Sequence, residues 1–185
     1  CSGLRLESRV RRAPPSERAA DELPEEEHEE RAVGSHVPAP EATGLLEQTV
    51  EQAVSMRLHA NHALRLVQLG HAQLAEGRRP TALELGRRAL QTALDRHERG
   101  QQAHAGRLLA EIAAGGDAPD VAAAVAGYQE ALTLAGALGM RPLAARCRLG
   151  LARLHQRASD HAVAREHLAA AREMTESMGV PPASL

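Results

Sequence analysis

Ten histidines, two cysteines and 22 arginines without a single lysine are the residues from which any chemistry in this 185-residue chain must be built. His59 and His62 stand three apart, which on a helix places two imidazoles on one face as a pair of metal ligands. Arg57 and Arg65 flank that pair, and no cysteine or carboxylate completes it at helical spacing. A cation is disfavoured there, and His155, His161 and His167 read the same way. No metal is expected. Cys147 lies between Arg146 and Arg148, whose charge would lower a thiol pKa. With no histidine beside it as base, it reads instead as a small buried apolar side chain. The absence of lysine removes both a phosphate-loop lysine and a Schiff-base lysine. The chain contains no Gly-x-Ser-x-Gly nucleophile turn. The expectation is therefore a protein with no catalytic residues and no cofactor, not an enzyme.

Charge narrows the partners. The net charge is -2, so the chain as a whole is no electrostatic binder of nucleic acid. The distribution is uneven. An acidic stretch carries Glu22, Glu25, Glu26, Glu27, Glu29 and Glu30. Between positions 141 and 172, seven arginines meet only Asp160 and Glu166. That basic segment suits an acidic protein partner, or the acidic stretch itself. RNA is a poor ligand, because one tyrosine and no other aromatic residue leaves nothing on which bases can stack.

The elements that must position these residues are helical. Alanine contributes 37 residues, while Trp and Phe are absent. Such a composition favours close-packed helices over a β-sandwich, which draws on β-branched and aromatic residues. Residues 1–41 hold five prolines and the acidic stretch, and they bury too little apolar surface to offset their ordering entropy. They read as a linker or disordered arm, with a short helix near 16–31 as the most that is expected. From 42 to 180 the pattern is helical, and 181–185 form a tail. About seven helices are predicted, near 45–57, 63–76, 81–96, 100–114, 121–138, 143–158 and 161–178. Pro80 opens one of them, Asp120 caps another, and Gly139, followed by Pro142, ends a third. No apolar run is long enough to cross a membrane, and no signal-peptide core is present. Two distant cysteines, Cys1 and Cys147, support neither a disulfide framework nor a zinc ribbon. A reducing cytoplasm is the expected setting. The lack of an initiator Met suggests a piece of something longer.

A repeat underlies the helical region. Segments beginning at Ala42, Ala82, Ala124 and Ala162 align, each with a second small residue seven positions on, at Thr49, Ala89, Ala131 and Ala169. Seven residues is two helical turns, so each pair shares a face. Upstream lie Leu69-Gly70, Leu109-Ala110 and Leu149-Gly150. Twelve residues separate Gly70 from Ala82 and Gly150 from Ala162, whereas fourteen separate Ala110 from Ala124. That extra length falls in the Gly115–Asp120 loop, where insertions cost least.

Leu-Gly on one helix, Ala twelve residues later and Ala seven after that resembles the tetratricopeptide family. Its bulky site falls on Gly86, Tyr128 and Glu166, and only Tyr128 fits it. The segment from Tyr128 to Gly179 also resembles the C-terminal repeats of bacterial class III adenylate/guanylate cyclases that carry an ATPase module, and those of ATPase-containing transcriptional activators. The resemblance implies an all-α solenoid of antiparallel helix pairs wound into a right-handed superhelix, with a concave face that holds a peptide or partner domain. It implies a protein-interaction scaffold or, alternatively, the regulatory C-terminal segment of a larger signalling enzyme or activator. Mapped onto this sequence, the family's groove falls on Gln68, His71, His104, Arg107, Glu111, Arg148 and Leu151. Their mixed polarity points to a polar, acidic, extended ligand. The leading half-repeat at 44–57 lacks a partner helix unless 16–31 supply one, so association through a terminal repeat into a homodimer is a further expectation.

Overall fold

The computed structural model describes residues 39–56 and 61–179. Positions 1–38, 57–60 and 180–185, and with them all but the last three residues of the expected 1–41 arm, its acidic stretch and His59, lie outside the described residues. The described residues hold seven helices and no strand: α1 (Ala39–Ser55), α2 (His62–Ala75), α3 (Arg79–Asp95), α4 (Arg99–Ala114), α5 (Val121–Ala137), α6 (Arg141–Arg157) and α7 (His161–Glu176). Each lies within a few residues of its expected place, except that α1 begins six residues early.

Four of the connections are the same turn. Glu76-Gly77-Arg78, Arg96-His97-Glu98, Leu138-Gly139-Met140 and Ala158-Ser159-Asp160 each put the middle residue in the left-handed region, at φ 77, 56, 67 and 61. In each, the third residue's N–H donates to the carbonyl five back: Arg78 to Gln73, Glu98 to Ala93, Met140 to Ala135 and Asp160 to His155, at 2.8–2.9 Å. The middle residue donates to the carbonyl three back. This is the Schellman arrangement, which satisfies the orphan carbonyls of one helix while aiming the chain into the next. Pro80 and Pro142 then sit in the first turns of α3 and α6, where a missing N–H costs nothing. Asp120 and Asp160 cap α5 and α7 by accepting from the N–H of Ala123 (2.9 Å) and Val163 (3.4 Å). Only two of the four left-handed positions carry glycine. His97→Gly and Ser159→Gly should therefore each raise the urea midpoint, by about 0.5–1 kcal/mol of stability. Gly77→Ala should lower it by about 1 kcal/mol, since no atom lies within 4 Å of the added methyl and only backbone strain acts.

The small-residue repeat is real, but its register differs in two places. Ala82, Ala124 and Ala164 are each the fourth residue of their helix, and Ala89, Ala131 and Ala171 follow seven later; all six are buried. Ala162 and Ala169 face solvent, so the expectation for the last segment is off by two. The reason is the length of α6, which runs seven residues past Gly150, whereas α2 runs only five past Gly70. In the first segment Thr49 is exposed, while Thr43 is buried and Val50 is half-buried. Thr43 bonds the Glu76 carboxylate, and Gln73 donates to Glu47 (2.7 Å), so α1 adheres to α2 through polar contacts.

Each helix packs on its neighbours in sequence. In addition α2 packs on α4 and α4 on α6, while α3, α5 and α7 do not adjoin one another. The result is a row of α2, α4 and α6. Two apolar clusters fill the interior, one around Leu66, Leu85, Leu108 and Ile112, the other around Tyr128, Cys147, Leu151 and Leu154. Large side chains find glycine opposite. Leu108 lies against Gly70 and Leu109 against Gly86, where an added Cβ would come within 2.5 and 2.8 Å. One helix pair further on, the bulk changes sides: Tyr128 of α5 lies across Gly150 of α6. Such matched knobs and hollows let helices approach closely, with Tyr128 as the chain's one aromatic filler among Phe, Trp and Tyr. The end of α4 has no Schellman turn. Its Ile112 and Ala114 carbonyls instead accept from Arg79 and Arg157 (the latter at 2.9 Å), which holds the longer Gly115–Asp120 loop in place.

Candidate functional site

The row of α2, α4 and α6 gathers most of the polar side chains marked out by the sequence. On α4, His104, Arg107 and Glu111 fall three and four residues apart and share a face. Arg107 Nη1 donates to Glu111 Oε2 at 3.0 Å, and Arg107 Nη2 donates to His71 Nε2 on α2 at 2.5 Å. His71 Nδ1 lies 3.5 Å from the same Glu111 oxygen. Because arginine only donates, His71 Nε2 must be an acceptor, and the ring is neutral with its proton on Nδ1 toward Glu111. Its pKa is correspondingly pushed down to about 4, by burial first and then by the charges of Arg107, Arg146 and His104. His104 is lowered too, by burial, Arg107 and Arg146.

The seven expected groove residues do not all meet. His71, His104, Arg107 and Glu111 form one cluster bridging α2 and α4. Gln68 is exposed on α2. Leu151 is fully enclosed in the core beside Cys147 and Leu154, so it packs helices and touches no partner. Arg148 lines a cavity between α6 and α7, apart from the cluster. The α6 residue that acts on the cluster is Arg146, exposed and close enough to depress both histidines. The signal for it was present. α4 starts at Arg99 and α6 at Arg141, an offset of 42, which carries His104 to Arg146. Counting from the Leu-Gly motif gives 40 and lands on the wrong face.

Access across this surface is graded. The Arg107 side chain keeps 13% of its exposure and Glu111 keeps 39%, while Arg146, Arg153 and Arg157 are open to solvent. Arg153 and Arg157 line a cleft of about 170 Å³ with Glu111, Gly150 and the Tyr128 ring. Burial and the Glu111 charge push the Tyr128 hydroxyl up to about 12, so it stays protonated. What the surface offers is fixed positive charge and hydrogen-bond donors around a single carboxylate.

Among the described residues, no group of three or more His, Cys, Asp or Glu is placed to hold a metal ion. His155 and His167 stack, ring centroids 5.7 Å apart, and His155 Nδ1 faces Asp160 at 3.4 Å. Cys147 is buried, and that burial pushes its thiol up to about 11 against the opposing pull of Arg107. Its sequence neighbours Arg146 and Arg148 do not activate it. In the folded protein Cys147 should resist iodoacetamide at pH 8 and become labelled only on unfolding, as peptide mass spectrometry would show. No helix among the described residues is long and apolar enough to cross a membrane. No protein-family model matches the chain, and no curated protein does.

Proposed function

We propose that this chain is a non-catalytic protein-interaction module, a tetratricopeptide-like stack of helix pairs whose α2/α4/α6 face holds an extended acidic segment of a partner protein in the cytoplasm. The stack is supported by the pattern of adjacency, in which α2, α4 and α6 touch in a row and α3, α5 and α7 do not. It is also supported by small residues recurring at the fourth and eleventh positions of α3, α5 and α7. Antiparallel pairing follows from three-residue turns between helices that pack together. A row of inner helices touching while the outer ones diverge is how such stacks curve.

The single observation that carries the partner class is the Arg107-centred cluster with Arg146 beside it. Arg107 and the neutral His71 ring meet the Glu111 carboxylate, with His104 and the exposed Arg146 beside them, on a layer continued by Arg153 and Arg157. Carboxylates running along this face meet arginine charge on α4 and α6, with bidentate geometry open to them at the exposed Arg146 and Arg153. The test is fluorescence anisotropy with a labelled ten-residue Glu/Asp-rich peptide against a neutral Gln/Asn counterpart. The acidic peptide binds, and its affinity falls steeply between low and physiological salt. Equal affinity for both peptides would overturn the reading.

A further inference from the structure

Arg148 has an unusual place. It is half-buried, its Nε is enclosed with no acceptor, and no carboxylate lies within ion-pair distance of it among the described residues. Across the interface, His167 of α7 has a buried Nδ1 that also lacks a partner. The two are near neighbours. Burial first, then the Arg148 charge, then the stacked His155 hold the His167 imidazole below its usual range, against the opposing pull of Glu166. A half-buried guanidinium with no carboxylate in ion-pair reach is unfavourable, and a buried donor left open calls for an explanation. Beside it is a cavity of about 320 Å³, lined by Arg141, Arg148, Ala170, Glu173, Met174 and Ser177. Arg141 stands two helical turns before Arg148 on the same face of α6 and already donates to Ser177 Oγ, which holds it at the cavity wall. Ala170 and Met174 give the opposite wall an apolar patch. Glu173, exposed at the rim, is the one negative charge in the lining.

We propose that this α6/α7 cavity binds a small aliphatic monocarboxylate. Its carboxylate would lie between Arg148 and Arg141, and its hydrocarbon end would lie over Ala170 and Met174. The volume suits a metabolite-sized molecule. Glu173 sets the charge limit: one negative charge is balanced by the arginines, whereas a second is repelled at the rim. The site shares none of its residues with the Arg107 cluster and stands or falls independently of the acidic-peptide reading.

The probes are sodium butyrate, inorganic phosphate and, as ionic-strength control, sodium chloride. Each is titrated into the full chain while the His167 ring and the α6/α7 amides are followed by NMR. Butyrate should give saturable shifts that chloride does not, and should raise the midpoint of His167 protonation as Arg148 is neutralised. Phosphate should bind less well. Arg148→Gln should weaken butyrate by about tenfold or more, the scale of one lost charge-assisted hydrogen bond. Arg141→Gln should weaken it in the same direction, giving a second variant if the first perturbs the fold. Glu173→Gln should narrow the gap between phosphate and butyrate. Shifts that never saturate, equal response to chloride, or butyrate binding undiminished in both arginine variants would overturn the proposal.

Discussion

Gly150→Ala should lower the unfolding free energy by about 3 kcal/mol, at the upper end of what one added methyl does in a packed interior. The Cβ would fall on the Tyr128 ring, 2.5 Å from Cε1 and 2.8 Å from Cε2. Tyr128 is 5% exposed and belongs to the core cluster with Ala131, Ala144, Cys147 and Leu151, so moving its ring out toward the Arg153/Arg157 cleft gives up that packing. Either α5 and α6 separate or the ring leaves its rotamer, and both lose dispersion contacts along the whole interface. Tyr128→Leu alone opens a cavity and should cost about 2 kcal/mol. The double variant should cost less than the sum of the two, with a favourable coupling of about 2 kcal/mol, since the smaller side chain makes room for the methyl. Gly136 supplies the contrast. It is an exposed helical glycine with nothing within 4 Å of an added Cβ, so Gly136→Ala should stabilise by about 0.5 kcal/mol through helix propensity alone. Urea denaturation of the four variants checks both signs. A neutral Gly150→Ala would mean that the two helices do not approach as closely as described.

Arg107→Glu should reduce binding of an acidic peptide by about a hundredfold, the cost of replacing a largely enclosed charge at the middle of the proposed surface. The effect has three parts. The donor to an incoming carboxylate is lost, a second carboxylate faces Glu111, and His71 Nε2 loses its donor. Arg107→Gln removes the charge with less disturbance and should cost about tenfold. Arg146 is exposed, so Arg146→Glu should act mainly on the association rate and vanish in high salt. Arg148→Glu should leave the peptide affinity within about twofold, because its side chain lies in the α6/α7 cavity. Surface plasmon resonance on the four variants, with helical circular dichroism to confirm folding, separates these cases. Loss of binding in Arg148→Glu but not in Arg107→Glu would move the site to the other side of α6.

Much of the fold was legible in the chain because its signals are local. Glycine and proline punctuate the helices, and Asp120 names its own cap. Alanine at positions 82 and 89, and again at 124 and 131, marks where helices must nestle. What misled was the choice of ruler. The Leu-Gly motif recurs every 40 residues, yet helix phase is set by where each helix starts. The starts of α4 and α6 are 42 apart. Two residues turn a helix by more than half a revolution, enough to swap an inward face for an outward one. That is why Arg148 and Leu151, and not Arg146, were expected beside the α4 residues; Ala162 was expected inside where Ala164 lies because α6 runs two residues further past its glycine than α2 does. The turns at His97 and Ser159 were also hard to foresee, since neither residue advertises a left-handed backbone as Gly77 and Gly139 do. The polar bridge from His71 through Arg107 to Glu111 was legible only in part. The i, i+4 pair on α4 can be read from spacing, but its third member comes from another helix.

If the α2/α4/α6 row is the partner surface, amide NMR of the labelled chain under titration with the Glu/Asp-rich peptide will map the contact there. Shifts should concentrate at His71, His104, Arg107, Glu111, Arg146 and Arg153, with α3 and the outer face of α5 unmoved. Shifts confined to α3, α5 and α7, or absent throughout at saturating peptide, would contradict it.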